Sequence, residues 1–134
     1  MKNVLLALAV LILVCAGLLP AAAAANVPLM SKEELRANLG SPALLILDVR
    51  TRKQWETSQY KIPGAHWMPK DKIDLWAGTL PRNKTILVYC ACEGMGSSGV
   101  TARELLARGF SHTRVLDGGW REWQASGYPL QERR

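Results

Sequence analysis

The strongest constraint on the fold is residues 85–110, where a strand pattern, a cysteine-containing loop and a helix pattern follow one another directly. The strand pattern is the apolar, β-favouring run TILVY, which stops at Cys90. A loop of small residues, EGMGS, follows Cys92, and the helix pattern begins at Ser98. In a parallel α/β sheet, ligands bind at the carboxyl ends of the strands, which is where Cys92 falls. The helix residues that we expect to face the core are Val100, Leu105 and Leu106.

Strand and helix patterns alternate along the rest of the chain. The apolar run ALLILDV at residues 43–49 has the length and composition of a strand that is covered on both faces. A capping box at Ser31 and Glu34 predicts a short helix that ends at Gly40. The remaining expected elements are helices at residues 52–58 and 120–125, a helical segment within 70–80, a turn at 62–65, and strands at 66–68 and 113–116. This alternation through short loops predicts an α/β fold with a small parallel β-sheet flanked by helices.

Residues 1–25 have the pattern of a secretory signal peptide. Lys2 precedes an apolar run at residues 4–19, and a series of alanines that suits a signal peptidase follows. The run is shorter than the roughly 18 residues expected of a membrane-spanning helix. We therefore expect residues 1–25 to be removed, together with Cys15, and residues 26–134 to form one periplasmic or secreted domain. The alternative is an uncleaved anchor that holds the domain at the membrane, facing the periplasm.

The composition and the motifs argue against several classes of function. The formal net charge is +6, but the lysines and arginines are scattered, which favours solubility over nucleic-acid binding. The sequence has neither a P-loop nor an HExxH motif. His66 and His112 have no metal-ligand spacing relative to the cysteines, so we expect no metal site and no cofactor.

The loop after Cys92 has a composition that stabilises an anion. Its glycines and serines allow successive backbone N–H groups to point inward, and the following helix adds the positive end of its dipole. A Cys92 thiolate held in this way is reactive at neutral pH without a partner histidine. Such a thiolate is sufficient for attack on a sulfur atom, whereas amide hydrolysis needs a general acid and base. The alternative is an inert buried thiol.

Cys90 is expected to have a different role from Cys92. The two cysteines are too close in sequence to close a useful loop, and we expect their side chains to point to opposite faces of the strand. The sequence therefore predicts no structural disulfide between them. Cys90, still within the strand, is interpreted as a packed small hydrophobe, with a redox partner of Cys92 as the alternative.

Four motifs occur in order along residues 44–129, namely LILDVR, KIPGA, the loop CEGMGSS, and LDGG followed by a tryptophan. Together they resemble a single rhodanese-like domain, from the family of the sulfurtransferases. The spacing back from Gly109 and Phe110 places the family's nucleophile at Cys92 rather than at Cys90. The resemblance implies a small parallel sheet flanked by helices, which in this chain the signal segment precedes.

The resemblance also implies an activity and a set of site residues. Cys92 takes a sulfane sulfur from thiosulfate or a persulfide donor, and the Cys92 persulfide passes it to a thiol, a cyanide-like acceptor or a protein partner. The loop residues whose N–H groups are expected to hold the persulfide are Glu93, Gly94, Met95, Gly96, Ser97 and Ser98. No cofactor, metal or nucleic acid is implied, and the membrane is reached only through an uncleaved N-terminus.

The loop departs from the family pattern in its charge. Thiosulfate-using members often carry a cation in the loop, whereas here Glu93 follows the nucleophile and disfavours anionic donors. Arg50, at the end of the neighbouring strand, is the candidate source of positive charge, with Asp48 as its structural support. The alternative for Arg50 is a salt bridge with Asp48 or a hydrogen bond to a loop carbonyl.

Three other functions fit weaker features of the sequence. The first is a non-catalytic sulfur-carrier or protein-binding module that only presents the loop. The second is a phosphatase or arsenate reductase, which is disfavoured because Ser98 stands where that branch of the fold has a phosphate-binding arginine. The third is a thiol–disulfide enzyme that uses Cys90 and Cys92.

Overall fold

Two apolar runs form the centre of the sheet, because both of their faces are covered. The computed structural model describes residues 26–92 and 94–134. In it, strands β2 (Leu44–Asp48) and β5 (Thr85–Tyr89) pair in parallel over their whole length. The sheet is completed, also in parallel, by β6 (Thr113–Leu116) beside β5, β1 (Leu29–Met30) beside β6, and β4 (His66–Trp67) beside β2. The strand order is β1-β6-β5-β2-β4, which confirms the predicted parallel sheet.

Helices cover both faces of this sheet, which confirms the predicted α/β fold. The helices are α1 (Lys32–Asn38), α2 (Arg52–Thr57), α3 (Ile73–Trp76), α4 (Gly96–Ala107) and α5 (Gly119–Ala125). Two 3₁₀ turns, Lys70–Lys72 and Ala77–Thr79, flank α3. Strands β3 (Tyr60–Lys61) and β7 (Gln131–Glu132) form a separate antiparallel pair. The sequence did not predict β1, β3 or β7, because two residues are too few to show an alternating pattern.

Alternation along β5 divides the core into two layers. Ile86 and Val88 point to the face that α3 and α4 cover, whereas Leu87 and Tyr89 point to the face that α1 and α5 cover. Cys90 continues this alternation and lies with Val88 on the α4 side. Since successive residues are buried in opposite layers, the near-continuous apolar composition of β5 follows.

Side-chain caps start the first two helices. The Ser31 hydroxyl accepts a hydrogen bond from the Glu34 backbone N–H at 3.1 Å, which is one half of the predicted capping box. The Glu34 carboxylate itself pairs with Arg114, at 2.7 and 2.9 Å. The sequence analysis overlooked a second capping box, in which Thr51 and Gln54 cap each other's backbone N–H at the start of α2.

The register of α4 differs from the prediction. The helix begins at Gly96 rather than at Ser98, and the Val100 side chain is 49% exposed, so the prediction that Val100 faces the core is wrong. The residues of α4 that are buried are Ser98, Gly99, Thr101, Ala102 and Leu105, and Leu106 is partly buried against the same layer. Small and polar side chains occupy the first turns of this face, so apolar character alone does not reveal it.

The predicted signal peptide, residues 1–25, lies outside the described residues. Within residues 26–92 and 94–134, no helix has the length and apolar character needed to cross a membrane.

A buried polar network joins the ends of β2 and β5. The Asp48 carboxylate accepts hydrogen bonds from Tyr89 Oη at 2.7 Å and from Arg50 Nη2 at 2.6 Å. Tyr89 Oη in turn accepts from the Ile62 backbone N–H at 3.2 Å, and Arg50 Nη2 donates to the Tyr60 carbonyl at 3.0 Å. Burial, followed by the negative charge of Asp48, raises the pKa of Tyr89 well above its ordinary value. The phenol is therefore a permanent donor at physiological pH.

We expect Tyr89→Phe to lower the free energy of unfolding by about 1–3 kcal/mol, since it leaves a buried carboxylate and the Ile62 N–H each short of a partner. Because the folded pKa of Tyr89 is raised, its contribution to stability is complete below the unfolded pKa, about 10, and is lost as pH rises above it. The variant should therefore lose less stability than the wild type between neutral and strongly alkaline pH. Urea denaturation across that range measures both effects. Tyr60→Phe, at a side chain that is 38% exposed, is the matched control, and equal effects of the two substitutions would contradict the network.

Candidate active site

The loop between β5 and α4 crosses the carboxyl end of the sheet. Gly94 lies in the left-handed region, with φ of +64°, which allows the chain to turn back towards the sheet. The Met95 carbonyl accepts a short hydrogen bond from the Gly99 backbone N–H and a second from Ser98 Oγ at 3.4 Å. These contacts fasten the loop to the first turn of α4. Glu93 lies outside the described residues, so its backbone N–H contact with the persulfide and its repulsion of anionic donors stay predictions.

The Cys92 sulfur lies against the first turn of α4. Its Sγ atom accepts a hydrogen bond from the Ser97 backbone N–H at 3.3 Å. Gly96 provides the room, since a Cβ atom there would lie 3.1 Å from Cys92 Cβ and 3.4 Å from Cys92 Sγ. A backbone N–H at a helix start favours a negative charge on the sulfur. This contact supports the predicted role of Ser97 and gives Gly96 a steric one.

Cys90 and Cys92 are joined in a disulfide, with their Cα atoms 5.5 Å apart. The expectation that their side chains point to opposite faces is wrong, because positions i and i+2 of an extended chain share a face. Both cysteines accordingly pack against the layer that α4 covers. Cys90 is only 2% exposed, and Ser98 Oγ lies 3.4 Å from its sulfur. Cys90 is therefore a buried, packed residue, as predicted, but also a bonded partner of Cys92.

Arg50 forms the salt bridge with Asp48 that the sequence analysis gave as the alternative to a role in binding the donor. Its side chain is 1% exposed, and its Nε and Nη2 atoms donate to Asp48. The guanidinium also lies over the Trp120 ring, 4.4 Å from the centroid, while Nη1 has no hydrogen-bond partner among the described residues. The ion pair with Asp48 supports the ends of β2 and β5. Arg50 is absent from the residues that line the cavity beside Cys92.

A cavity of about 350 Å³ opens beside Cys92. The residues that line it with Cys92 are Gly94, Met95, Asp117, Gly118, Arg121 and Glu122. Two of the predicted loop residues, Gly94 and Met95, thus belong to the cavity wall. The wall carries two carboxylates and one guanidinium, so its charge is mixed rather than strongly positive.

Lys70 is a candidate site residue that the sequence analysis missed. Its Nζ atom donates a hydrogen bond to Ser97 Oγ at 2.7 Å, on the residue whose N–H contacts Cys92. Lys70 and Ser97 also line a second cavity, of about 330 Å³. Lys70 lies in the 3₁₀ turn before α3, far from the loop in sequence, and no motif marks it. The loop therefore has a cation beside it although it contains none.

Gly118 and Gly119, at the start of α5, allow this helix to approach the backbone of Cys90 closely. The Trp120 backbone N–H donates to the Cys90 carbonyl at 3.0 Å. A Cβ atom on Gly119 would lie 2.8 Å from that carbonyl oxygen, so only glycine allows this close approach. Gly118 and Gly119, which the sequence analysis used only as a family motif, thus let α5 start directly against the backbone of Cys90.

The described residues contain no group of three or more His, Cys, Asp or Glu side chains that could hold a metal ion. The chemistry that the arrangement offers is that of sulfur: a partly exposed Cys92 in a polar cavity, a backbone donor on its sulfur, and a second cysteine in bonding contact.

Comparison with known proteins places this site in a family. A family model described as the rhodanese-like domain matches residues 31–126. The rhodanese-like domain of the Anabaena sp. protein Alr3790, solved in solution, is 32% identical with a TM-score of 0.67, and the match covers 81% of each chain. A full-length protein from Lactobacillus plantarum is 25% identical with a TM-score of 0.69, covering 78% of this chain and 88% of that one.

A more distant structural neighbour shares the fold alone. It is RPA3614 from Rhodopseudomonas palustris, a protein of unknown function described as a possible tyrosine phosphatase, with 21% identity and a TM-score of 0.67. That match covers 78% of this chain and 85% of the other. No match was found among curated proteins. With most of its length matched by the family model, the chain belongs to the rhodanese-like family.

Proposed function

We propose that this protein is a sulfurtransferase that carries a sulfane sulfur on Cys92 as a persulfide. The observation that carries the proposal is the hydrogen bond from the Ser97 N–H to Cys92 Sγ, at the start of α4 and beside an open cavity. A donor at that position favours the thiolate that attacks a sulfur donor and the persulfide anion that results. Membership of the rhodanese-like family supports the same chemistry.

The reaction needs no general acid or base from the protein. In the reduced protein, the Cys92 thiolate attacks the outer sulfur of the donor, and that sulfur's bond to the rest of the donor breaks. The leaving group departs as sulfite from thiosulfate or as a thiolate from a persulfide, and neither requires strong protonation. The Cys92 persulfide then donates its outer sulfur to a thiol or a cyanide-like nucleophile, and the Cys92 thiolate is restored.

The charges around the cavity bear on the choice of donor. Asp117, Glu122 and Arg121 line the cavity beside Cys92, so carboxylates outnumber the one cation there, and Glu93 follows the nucleophile in sequence. Carboxylates near the sulfur oppose a doubly charged donor such as thiosulfate. Lys70, on Ser97, offsets part of this repulsion. We therefore infer that a persulfide with less negative charge is the better donor and that Lys70 supports what thiosulfate activity there is.

Export of the domain is also part of this proposal. The pattern of residues 1–25 supports export, with the domain periplasmic or secreted, or anchored at the membrane if the segment stays.

A phosphatase activity is disfavoured, because Ser98 is 3% exposed and its hydroxyl donates to the Met95 carbonyl instead of facing a substrate. The Cys90–Cys92 disulfide favours thiol–disulfide chemistry as the second candidate function.

We expect Cys92→Ser to abolish sulfur transfer, lowering kcat by about 1,000-fold or more, because the reacting atom is lost. The reduced full-length chain is incubated with thiosulfate or a polysulfide in the presence of cyanide, and thiocyanate is measured. Cys15→Ser is the matched cysteine control and should keep wild-type activity. Wild-type turnover in the Cys92→Ser protein would rule out Cys92 as the sulfur carrier.

We expect Gly96→Ala to lower kcat/KM by about 10- to 100-fold, because the new methyl group presses on the Cys92 side chain and shifts its sulfur from the Ser97 N–H. Gly78→Ala is the matched control, since a Cβ atom there meets nothing within 4 Å. Steady-state kinetics with one donor, together with melting temperatures of both variants, separate a loss of positioning from a loss of folding. Equal activity of the two variants would show that Gly96 does not position the sulfur.

We expect Lys70→Gln to raise KM for thiosulfate by about 2- to 10-fold and to change kcat/KM for an uncharged organic polysulfide little, because only the dianion depends on the local positive charge. Lys72→Gln, in the same 3₁₀ turn, is the control. Kinetics at low and high salt check the electrostatic cause, because screening should reduce the difference between wild type and variant. An equal rise in KM for both donors would point to a steric role of Lys70.

A further inference from the structure

Cys90 forms a disulfide with Cys92, the proposed sulfur carrier. Direct transfer of sulfur from Cys92 to an external acceptor gives Cys90 no role. We propose that Cys90 is a catalytic residue that resolves the Cys92 persulfide, releasing the outer sulfur as hydrosulfide and leaving the Cys90–Cys92 disulfide. This inference rests on the proposed function of Cys92. In this step the Cys92 persulfide oxidises the Cys90 thiol before any external thiol reacts with the persulfide.

The geometry of the two sulfurs supports this step. The disulfide is its product, and the backbone holds it with Cα atoms 5.5 Å apart, within the usual range for a disulfide. No rearrangement of β5 or α4 is needed to bring the sulfurs together, because both side chains already face the α4 layer. For the Cys90 sulfur to reach Cys92 Sγ, only the side chains of the two cysteines need to move.

The exposure of the two cysteines gives the order of events. Cys90 is 2% exposed, whereas Cys92 is half-buried and lines the cavity. An external sulfur donor therefore meets Cys92 first, and Cys90 is reached only through Cys92. Ser98 Oγ lies 3.4 Å from the Cys90 sulfur, and rotation of its hydroxyl away from the Met95 carbonyl would let it donate to a thiolate when Cys90 is reduced.

The step balances without a further reagent. The Cys90 sulfur attacks Cys92 Sγ, a bond forms between these two atoms, and the bond from Cys92 Sγ to the outer sulfur breaks. The outer sulfur leaves with the electron pair and takes the proton of the Cys90 thiol, so that hydrosulfide is released. Two cysteine thiols are thereby oxidised to a disulfide, and one sulfane sulfur is reduced by two electrons.

Turnover then needs an external dithiol reductant. The more accessible Cys92 sulfur is where its first thiolate would attack, giving a mixed disulfide and freeing Cys90. The second thiol of the reductant resolves the mixed disulfide, the reductant becomes a disulfide, and both cysteines are restored. A dithiol suits this sequence better than a monothiol, since its second thiol is already held close to the mixed disulfide.

The test is a single turnover of the full-length chain, reduced, freed of reductant and kept anaerobic, with thiosulfate as the probe donor. In the wild type we expect about one hydrosulfide per protein and a mass about 2 Da below that of the fully reduced chain. In Cys90→Ala and Cys90→Ser we expect a gain of about 32 Da and hydrosulfide release at least about tenfold slower. Melting temperatures show that both variants are folded, and inorganic polysulfide, read by mass alone, serves as a second donor.

The outcomes separate this inference from the proposed function. A wild-type protein that gains and keeps about 32 Da, with no hydrosulfide, would overturn the role of Cys90 and leave the sulfurtransferase intact. Hydrosulfide release at the wild-type rate in both Cys90 variants would also overturn it. If no form of the protein gains sulfur or releases hydrosulfide with either donor, the sulfurtransferase function fails and the inference fails with it.

Discussion

The position of the cysteine loop depends on the hydrogen bonds that the buried Asp48 carboxylate accepts from Arg50 and Tyr89. A charge in the interior is tolerated only when its partners satisfy it, and Asp48 has both the Arg50 guanidinium and the Tyr89 phenol. Tyr89 is the last residue of β5 and directly precedes Cys90, while Arg50 follows the end of β2. The network therefore fixes the carboxyl ends of the two central strands relative to each other. Removing one partner would leave a buried charge at the end of β2 and loosen the end of β5, from which the cysteine segment follows.

From this fixed point the two cysteines differ in how firmly they are held. The Cys90 carbonyl accepts the Trp120 N–H, and Gly119 packs against it too closely for any side chain, so α5 clamps the backbone of Cys90. Cys92 has a single described donor on its sulfur, from Ser97, and faces a cavity. The rigid residue is the buried one and the adjustable residue is the accessible one. Such a division suits a carrier that must meet donors and acceptors outside and a partner inside.

The sequence predicted the elements whose pattern is local and missed the contacts that depend on packing. The bounds of β5 and β6 were predicted correctly, because β-favouring runs ended by turn residues define a strand on their own. The burial of Val100 was predicted wrongly, since Ser98 and Thr101 take the sheet-facing positions of α4. Lys70 carries no local signal, because only the folded chain brings its turn to Ser97. The contact between the cysteines was available from the sequence, given that residues two apart on an extended chain share a face.

The size of the disulfide ring favours a chemical role over a structural one. In the chain-entropy model, a loop of about three residues contributes about 1.6 kcal/mol, against about 3 kcal/mol for a loop of 15. Cys90 and Cys92 are separated by only two positions, so their bond removes little freedom from the unfolded chain. A core of two packed layers already holds this segment in place. The prediction that no disulfide joins the pair was wrong, as was its geometric premise. The small ring nevertheless makes this bond a weak structural staple, and its main consequence is to remove the Cys92 thiolate until a reductant restores it.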